Sequence, residues 1–349
     1  MFHQRIITRW LGLAALSLVL LAAGGTAHAQ ADTSVADKLS EALKSYSNLD
    51  FDKGLTIAGD LLTRPNLTSK DSIAIYEVLG IITYAKGEDY LRRAVDYLNK
   101  ISQIGPCVVP LPHDIWPKEL RDKWYELLKA KQALTCDEGA ESNVKTIAIM
   151  EFDNYSVGKY QQELGLLSKG LADFFQHDFA KISALRVVER DKIDFVLKEL
   201  ELQKSGMVDA ATAVKVGKIL GAQIMVFGSI TQLDDKNTRM IVRAVKTETS
   251  EIIASVDKEG KPDYSKMEKD LVEELAAQLK IEVSDKTRGL LQEGGTRSLD
   301  ATTLYSQGLD YMDKYDYKNA YDCFKKAYDM DNSFVEAKRK MEIYRPLAG

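Results

Sequence analysis

The chain is poor in the residues that build metal sites and disulfide frameworks. Its 349 residues include only three cysteines and four histidines. Three cysteines exclude a disulfide-stapled miniprotein and a zinc site with four cysteine ligands. Four histidines leave few candidates for a general base or a metal ligand. A chain of this length buries a core without such crosslinks, and about 150 residues per domain predicts two or three domains.

The chain also has no excess of basic residues, because 47 Lys and Arg are outnumbered by 52 Asp and Glu, which gives a net charge of −5. A nucleic-acid-binding domain is expected to have a pI above about 9, so we expect no nucleic-acid partner. The hydrophobic fraction of 45% and the charged fraction of 28% are close to the average for folded proteins. These fractions argue against wholesale disorder and against a protein with many membrane spans.

Common catalytic and nucleotide-binding motifs are missing as well: there is no HExxH, no phosphate loop, no GxSxG and no GxGxxG. His113 follows Pro112 in a predicted loop, and His177 is expected on the solvated face of a helix. The sequence nominates no nucleophile or orienting group for either histidine. We therefore expect no catalytic residues, no cofactor and no metal. An enzyme such as a periplasmic hydrolase is the least favoured class.

One apolar run opens the chain. Arg5 and Arg9 precede an apolar stretch over 10–23. Ala27-His28-Ala29 then places small residues at the two positions that a signal peptidase recognises before its cleavage site. The stretch is shorter than the ~20 residues that span a bilayer, so we predict that 1–29 is a cleaved Sec-type signal peptide. No cysteine directly follows Ala29, so nothing marks a lipoprotein. The expected location is the periplasm of a Gram-negative-type envelope, with or without outer-membrane association.

Cys107 and Cys136 are candidates for a disulfide, because the periplasm is oxidising. Two buried free thiols are the other alternative. A bridge across a loop of this size stabilises by ~2–4 kcal/mol. If the two residues pair, thiol counting on the unfolded mature protein should find one free thiol, that of Cys323. Three free thiols would contradict the disulfide.

Helical periodicity marks both ends of the mature chain. Residues 33–101 carry apolar stripes at helical spacing with weak internal similarity. We predict a degenerate tetratricopeptide-like helical domain over 30–136, a polar linker over 281–300 and a repeat with a capping helix over 301–345.

The C-terminal helix pair resembles one tetratricopeptide repeat. Its signature offsets are held by Leu304, Gly308, Tyr311, Tyr317, Ala320, Phe324 and Ala327. Gly308 and Ala320 are expected where two helices cross. The resemblance places Tyr305, Leu309 and Met312 on the concave side of the inner helix, as a candidate partner surface. Packing against the neighbouring domain is an equally open alternative.

The middle of the chain alternates strand-length apolar runs with helical stretches. The predicted strands are 145–152, 185–189, 223–230, 239–247 and 251–257, and the predicted helices include 161–181, 192–203 and 264–280. Alternation that ends in a hairpin predicts an α/β fold with a mixed sheet. Glu189 and Arg190 are interpreted as a strand-end pair that fixes the next helix, which Asp191 can cap.

This middle part resembles the curli production assembly and transport component (CsgG) family over residues 144–279. The segments that carry the resemblance are IAIMEFDN, RVVERDKIDFVLKELELQKSGMVD, ATAVKVGKILGAQ and IMVFGSIT. The resemblance implies a CsgG-like α/β sandwich over 144–280. Gly217 is expected to allow close helix packing, and Gly228 is expected to allow close backbone approach within a strand.

The resemblance also implies a function, because relatives in this superfamily are cell-envelope proteins. We expect a non-enzymatic envelope protein that mediates protein–protein interaction in assembly or export of surface structures at the outer membrane. Its partners would be envelope or secreted proteins, with a homo-oligomer left open and any membrane association peripheral. The alternative is a multimeric outer-membrane secretion component of the curli-transporter type. Against that alternative, the lipid-bearing cysteine is absent and the connection 232–238 is too short for membrane hairpins.

Overall fold

The structure is a computed structural model that describes residues 34–105, 116–134, 144–200 and 210–349. The predicted signal peptide, Cys107, Cys136 and His113 lie outside these ranges. Among the described residues, no helix is both long enough and apolar enough to cross a membrane.

Helices dominate the two ends of the chain and alternate with strands in the middle. The N-terminal helices are α1 (Val35–Ser47), α2 (Phe51–Leu61), α3 (Ser69–Tyr84), α4 (Leu91–Ile104) and α5 (Lys118–Ala130). The middle helices are α6 (Lys159–Glu163), α7 (Leu167–Ala180), α8 (Arg190–Glu199), α9 (Ala210–Leu220) and α10 (Tyr264–Gln278). The C-terminal helices are α11 (Asp285–Leu291), α12 (Leu299–Asp313), α13 (Tyr317–Met330) and α14 (Val335–Tyr344). The strands are β1 (Lys145–Ile149), β2 (Asp153–Asn154), β3 (Leu185–Val187), β4 (Ile224–Gln232), β5 (Thr238–Lys246) and β6 (Ile252–Gly260).

The strands form one six-stranded mixed sheet, which confirms the predicted α/β class. The main order is β3-β1-β4-β5-β6, and the short β2 runs beside the end of β4. β1 is parallel to both β3 and β4, whereas β4, β5 and β6 are antiparallel neighbours. The last two strands are therefore the hairpin that the sequence predicts.

The two faces of the sheet contribute to two different cores. On the front face, Val226 and Val242 belong to a core that includes α7 and α10 and continues into the C-terminal helices. On the rear face, Ala148 and Met225 belong to a core that includes α8, α9 and α5. A Cβ at Gly228 would collide with the ring of Phe152, so β4 needs glycine where the ring crosses it.

The N-terminal helices pack in succession, α1 on α2, α2 on α3 and α3 on α4. Their own core contains Leu39, Ala58 and Ile82. The start of α3 is fixed by a capping box, in which Thr68 and Asp71 satisfy each other's backbone N–H groups. Trp116 lies against Gly80 of α3, and α5 then packs on α8. This layer is therefore joined to the rear side of the sheet, while its identity as a repeat array stays a prediction.

The C-terminal unit consists of α12, α13 and α14, which pack in succession. α12 and α13 cross at Gly308, where a Cβ would collide with the Phe324 ring. This is the crossing that the small residue predicts, and its assignment to the tetratricopeptide class stays a prediction. The unit packs through α12 against α7 of the sheet domain.

Two segments differ from the sequence prediction. The predicted linker 281–300 contains α11, which Ser284 caps by accepting the Thr287 N–H and which buries Leu291 completely. The predicted helix 161–181 is divided into α6 and α7, with Gly165 lying in the turn between them. Amphipathic spacing continues across that turn, so periodicity alone does not reveal the break.

Candidate functional site

Charged side chains from three parts of the chain meet beside the carboxyl end of β3. Val188 donates its N–H to the Ile147 carbonyl, and α8 begins directly afterwards at Arg190. We call the resulting cluster the charged junction, which comprises Arg121 of α5, Lys169 of α7, Arg190, Asp191 and Asp194 of α8, and Asp310 and Asp313 of α12. It joins the N-terminal helices, the sheet domain and the C-terminal unit.

Arg190 lies at the centre of the charged junction, with 6% of its surface exposed. Its Nη1 and Nη2 donate to the two carboxylate oxygens of Asp313 at 3.0 and 2.6 Å. The same guanidinium lies 3.8 Å from Asp191 and 4.0 Å from Asp194. Burial raises the pKa of Asp313, but Arg190 and Lys169 outweigh burial and hold that pKa far below its usual range. Asp313 is therefore ionised at every physiological pH.

The remaining cations complete the junction. Lys169 Nζ lies 2.9 Å from Asp310 and 2.8 Å from Asp313. Arg121 forms a direct ion pair with Asp191, of which 3% is exposed. Burial raises the pKa of Asp191, yet Arg121 and Lys118 bring it below its ordinary value. Asp191 of α8 and both carboxylates of α12 are thus each paired with a cation from another helix.

Three carboxylates of the junction, those of Asp191, Asp194 and Asp313, offer oxygens within 4.8 Å of one another. Such a group has the ligand chemistry of a hard cation site. Here the Arg190 guanidinium lies within 4.0 Å of all three carboxylates. Arg121, which pairs with Asp191, and Lys169, which pairs with Asp313, bring the number of positive charges to three. A structural ion-pair network accounts for this acidic group.

The candidate partner surface is buried within the chain. Tyr305 and Leu309 are 0% exposed and Met312 is 1% exposed, so they offer no surface to an external partner. The Tyr305 ring stacks on Phe174 of α7, and its hydroxyl donates to Asp173 at 2.6 Å. The interpretation of these residues as a partner surface is corrected accordingly: they form the contact with the neighbouring domain, the alternative that the sequence left open.

Polar contacts surround this apolar contact between α7 and the C-terminal unit. Lys340 of α14 lies 3.4 Å from Asp173. Within the C-terminal part, the N–H of Gly295, in the segment before α12, donates to Glu336 of α14 at 3.0 Å. On the N-terminal side, the Tyr315 hydroxyl donates to Asp122 at 2.6 Å. The C-terminal unit is therefore held by both the sheet domain and α5.

His177 lies in this same contact and not on a solvated face, which corrects the expectation from the sequence. Its Nδ1 is 3.2 Å from Arg339 Nη1 of α14. Burial, followed by the Lys181 ammonium, lowers the pKa of His177. The carboxylates of Glu336, Asp178 and Asp173 act to raise this pKa, but they do not outweigh burial, and the pKa lies below its ordinary value. The histidine is therefore neutral and accepts a hydrogen bond from Arg339.

A pH dependence of stability follows from the His177 environment. The unfolded chain binds a proton near pH 6.5, whereas the folded protein binds it only at lower pH. This difference in proton binding therefore does not affect the free energy of unfolding at pH 8, and it lowers that free energy increasingly as the pH falls below about 6.5. Replacing His177 by Gln keeps an acceptor for Arg339 and removes the titration. We expect the melting temperature of His177→Gln to fall less than that of the wild type between pH 8 and pH 5; parallel curves would contradict this assignment.

A second buried group lies between α7 and α10. Burial, followed by the nearby Asp178 carboxylate, raises the pKa of Glu268 well above its ordinary value. Lys269 lies 3.4 Å from Asp178 and donates to the carbonyls of Leu291 and Glu293. These contacts attach α11 and the segment after it to the sheet domain, although the sequence predicts a linker there.

The sequence predicts only part of the charged junction. It predicts that Glu189 and Arg190 form a strand-end pair, but Arg190 pairs with Asp313 and Glu189 lies 3.8 Å from Arg121. Glu189 occupies the N-cap position of α8 without a side-chain cap hydrogen bond, and Asp191 is buried inside the first turn. Asp191 therefore serves the junction and is not the cap. The helical positions of Lys169 and Asp313 carry no local signal of this role.

Comparison with known families gives a match within the middle of the chain. Residues 129–242 match the family described as "Curli production assembly/transport component CsgG". The match begins in α5 and ends in β5, and it covers about a third of the chain. The matched segment includes Arg190, Asp191 and Asp194. No curated protein matches the chain.

The comparison with solved structures matches part of the chain to LpoB domains. The C-terminal domain of LpoB from Salmonella enterica is 14% identical, with a TM-score of 0.29; the match covers 37% of this chain and 90% of that one. The corresponding Escherichia coli domain gives 14% identity, a TM-score of 0.28 and coverages of 37% and 92%. The NMR structure of E. coli LpoB gives 12% identity, a TM-score of 0.28 and coverages of 34% and 58%. Residues 129–242 are thus similar to the CsgG family, and further helices precede and follow this segment.

Proposed function

We propose that this chain is a non-enzymatic envelope protein that holds other proteins together during assembly or transport of structures at the outer membrane. The observation that carries the proposal is the match of residues 129–242 to the curli production assembly/transport component family. The signal peptide proposed for 1–29 would deliver the protein to that compartment. The proposed partners are envelope or secreted proteins.

The internal contacts support a holding role. Arg190 and Lys169 of the sheet domain bind carboxylates of α12, and Arg121 of α5 binds Asp191 of α8. These pairs join the N-terminal helices, the sheet domain and the C-terminal unit to one another. A body of this kind presents its outer surfaces at fixed mutual positions, which suits simultaneous contact with more than one partner.

Envelope fractionation followed by in situ crosslinking and affinity purification tests the proposal. The full-length protein, tagged at its C-terminus, is expected in the envelope fraction, released by osmotic shock or salt, with envelope proteins crosslinked to it. The control variant Leu16→Arg interrupts the apolar run and should remain inside the cell without those crosslinks.

Three results separate the alternatives. Release by salt together with reproducible envelope partners supports the proposal. A requirement for detergent together with self-crosslinked multimers would support the multimeric outer-membrane secretion component instead. Equal intracellular amounts of the wild type and Leu16→Arg, with no envelope partner for either, would overturn an envelope function.

A further inference from the structure

Apart from Val245, which packs against the rear core, the rear face of the sheet is open over β5 and β6 in the described part of the chain. α8 and α9 cover β1 and the first half of β4 on this side, while the helix packed on β5 and β6 is α10, which lies on the front face. Along β5, Met240 and Val242 are buried toward the front, and Arg239 and Arg243 are exposed on the rear. An exposed half-sheet therefore adjoins the two-sided core.

Apolar side chains are exposed on this open face. The exposed fractions are 53% for Tyr155, 57% for Ile252 and 40% for Ile253. A register shift after Ala244 places both isoleucines opposite Val245. Single exposed apolar residues are ordinary in proteins, but a contiguous exposed patch marks an interaction surface. We call this group the rear patch, which comprises Tyr155, Ile241, Arg243, Val245, Ile252 and Ile253.

The two arginines on this face differ in their partners. Arg239 donates through Nε and Nη2 to Asp257 at 3.1 and 3.0 Å. Arg243 lies directly opposite Phe227 on β4 and Ser255 on β6. No carboxylate within the described ranges forms an ion pair with Arg243. Within those ranges the guanidinium is thus free of an ion pair, with Ile241 and Val245 beside it on β5 and Ser255 beside it on β6.

Tyr155 lies on the β2 side of this face, within electrostatic reach of Arg243. Its backbone N–H donates to the Ile230 carbonyl, which extends the pairing of β2 with β4, and its hydroxyl donates to Asp153 at 2.9 Å. Asp153 is opposite Ser229, on the rear side of β4. Tyr and Arg are the residue types that dominate binding energy at protein interfaces when apolar neighbours exclude water around them.

We propose that the rear patch binds a protein partner through an apolar surface that places a carboxylate on Arg243. Covering the patch removes water from the guanidinium, and an arginine buried without a counter-charge is costly. A partner of complementary charge and apolar surface avoids this cost and gains the area of the exposed isoleucines. The rear patch deepens the proposed function, on which it rests, by assigning one partner surface.

Site-specific photocrosslinking in the full-length protein tests the rear patch. Benzoylphenylalanine at position 255 reports on whatever covers Arg243, because Ser255 is its exposed neighbour on β6. The expected result is one protein adduct whose yield falls at least tenfold in the Arg243→Glu background. Arg288→Glu, at an exposed arginine of α11, is the matched control and should leave the yield within twofold.

The adduct identifies the occupant. A carboxylate within the crosslinked region of the partner, whose exchange for arginine restores binding to Arg243→Glu, supports the proposal. A lipid adduct or a self-adduct would overturn it, as would an unchanged yield in Arg243→Glu. If Arg243→Glu still retains the partners captured from the envelope, only the rear patch fails; if the wild type captures no envelope partner, the proposed function fails as well.

Discussion

Replacing Asp313 by Ala is expected to lower the free energy of unfolding by about 3–5 kcal/mol, the usual cost of removing one member of a buried ion pair. Arg190 would lose the two hydrogen bonds that it donates to Asp313 at 3.0 and 2.6 Å. With only 6% of its surface exposed, it could not recover them from water. Chemical denaturation of the full chain, followed by circular dichroism, measures the loss.

Asp310→Ala is the matched control for this loss. Asp310 also pairs with Lys169, but its side chain is 28% exposed and its second partner, Lys314, is 65% exposed. Exposed pairs contribute about 1 kcal/mol or less, so this variant should remain close to the wild type. A free energy of unfolding for Asp313→Ala within 1 kcal/mol of that for Asp310→Ala would contradict the importance of the buried pair.

The sheet could be predicted from sequence because its signals are local. The runs at 145–152 and 223–230 are apolar, bounded by polar residues and of strand length, and they become the central parallel pair β1 and β4. The hairpin of β5 and β6 is likewise marked by two short runs around a turn. Gly228 could be expected to receive a close neighbour, but that this neighbour is Phe152 depends on a tertiary contact.

The charged junction could not be predicted, because its pairs join residues far apart in the chain. Arg190 and Asp313 are separated by 123 positions. Each lies in an ordinary helical context, in which a charged residue is most often solvated. Only the packing of α12 against α7 and of α5 against α8 removes water from these side chains and decides their partners.

The contact between α12 and α7 could be predicted in part, unlike the charged junction. The spacing of Tyr305, Leu309 and Met312 marks an apolar face on one helix, but a helical face does not specify what covers it. The structure places α7 there, and a Cβ at Gly170 would collide with the Ser306 hydroxyl. Close approach of the two helices therefore depends on a glycine in a different part of the chain, which no local pattern connects with α12.

Replacing Tyr305 by Ser is expected to destabilise the full chain by about 3–5 kcal/mol, as for other large-to-small changes at a buried aromatic residue. The change removes a side chain that is 0% exposed and packs against the rings of Phe174, Phe324 and Phe334. It also leaves Asp173 without the hydroxyl that donates to it at 2.6 Å. Thermal and chemical unfolding of the full-length variant measure the loss.

Two control variants separate the contribution of the buried Tyr305 ring from that of its hydroxyl and from the effect of the same change at an exposed tyrosine. Tyr305→Phe keeps the stacked ring and loses only the hydrogen bond, so it should cost about 1–3 kcal/mol. Tyr155→Ser, at a tyrosine that is 53% exposed, should stay within about 1 kcal/mol of the wild type.

Since the apolar face of α12 is covered by α7, residues 296–349 expressed alone should also lack cooperative unfolding. A stable monomeric fragment, or a Tyr305→Ser chain as stable as Tyr155→Ser, would show that the C-terminal unit does not depend on this contact.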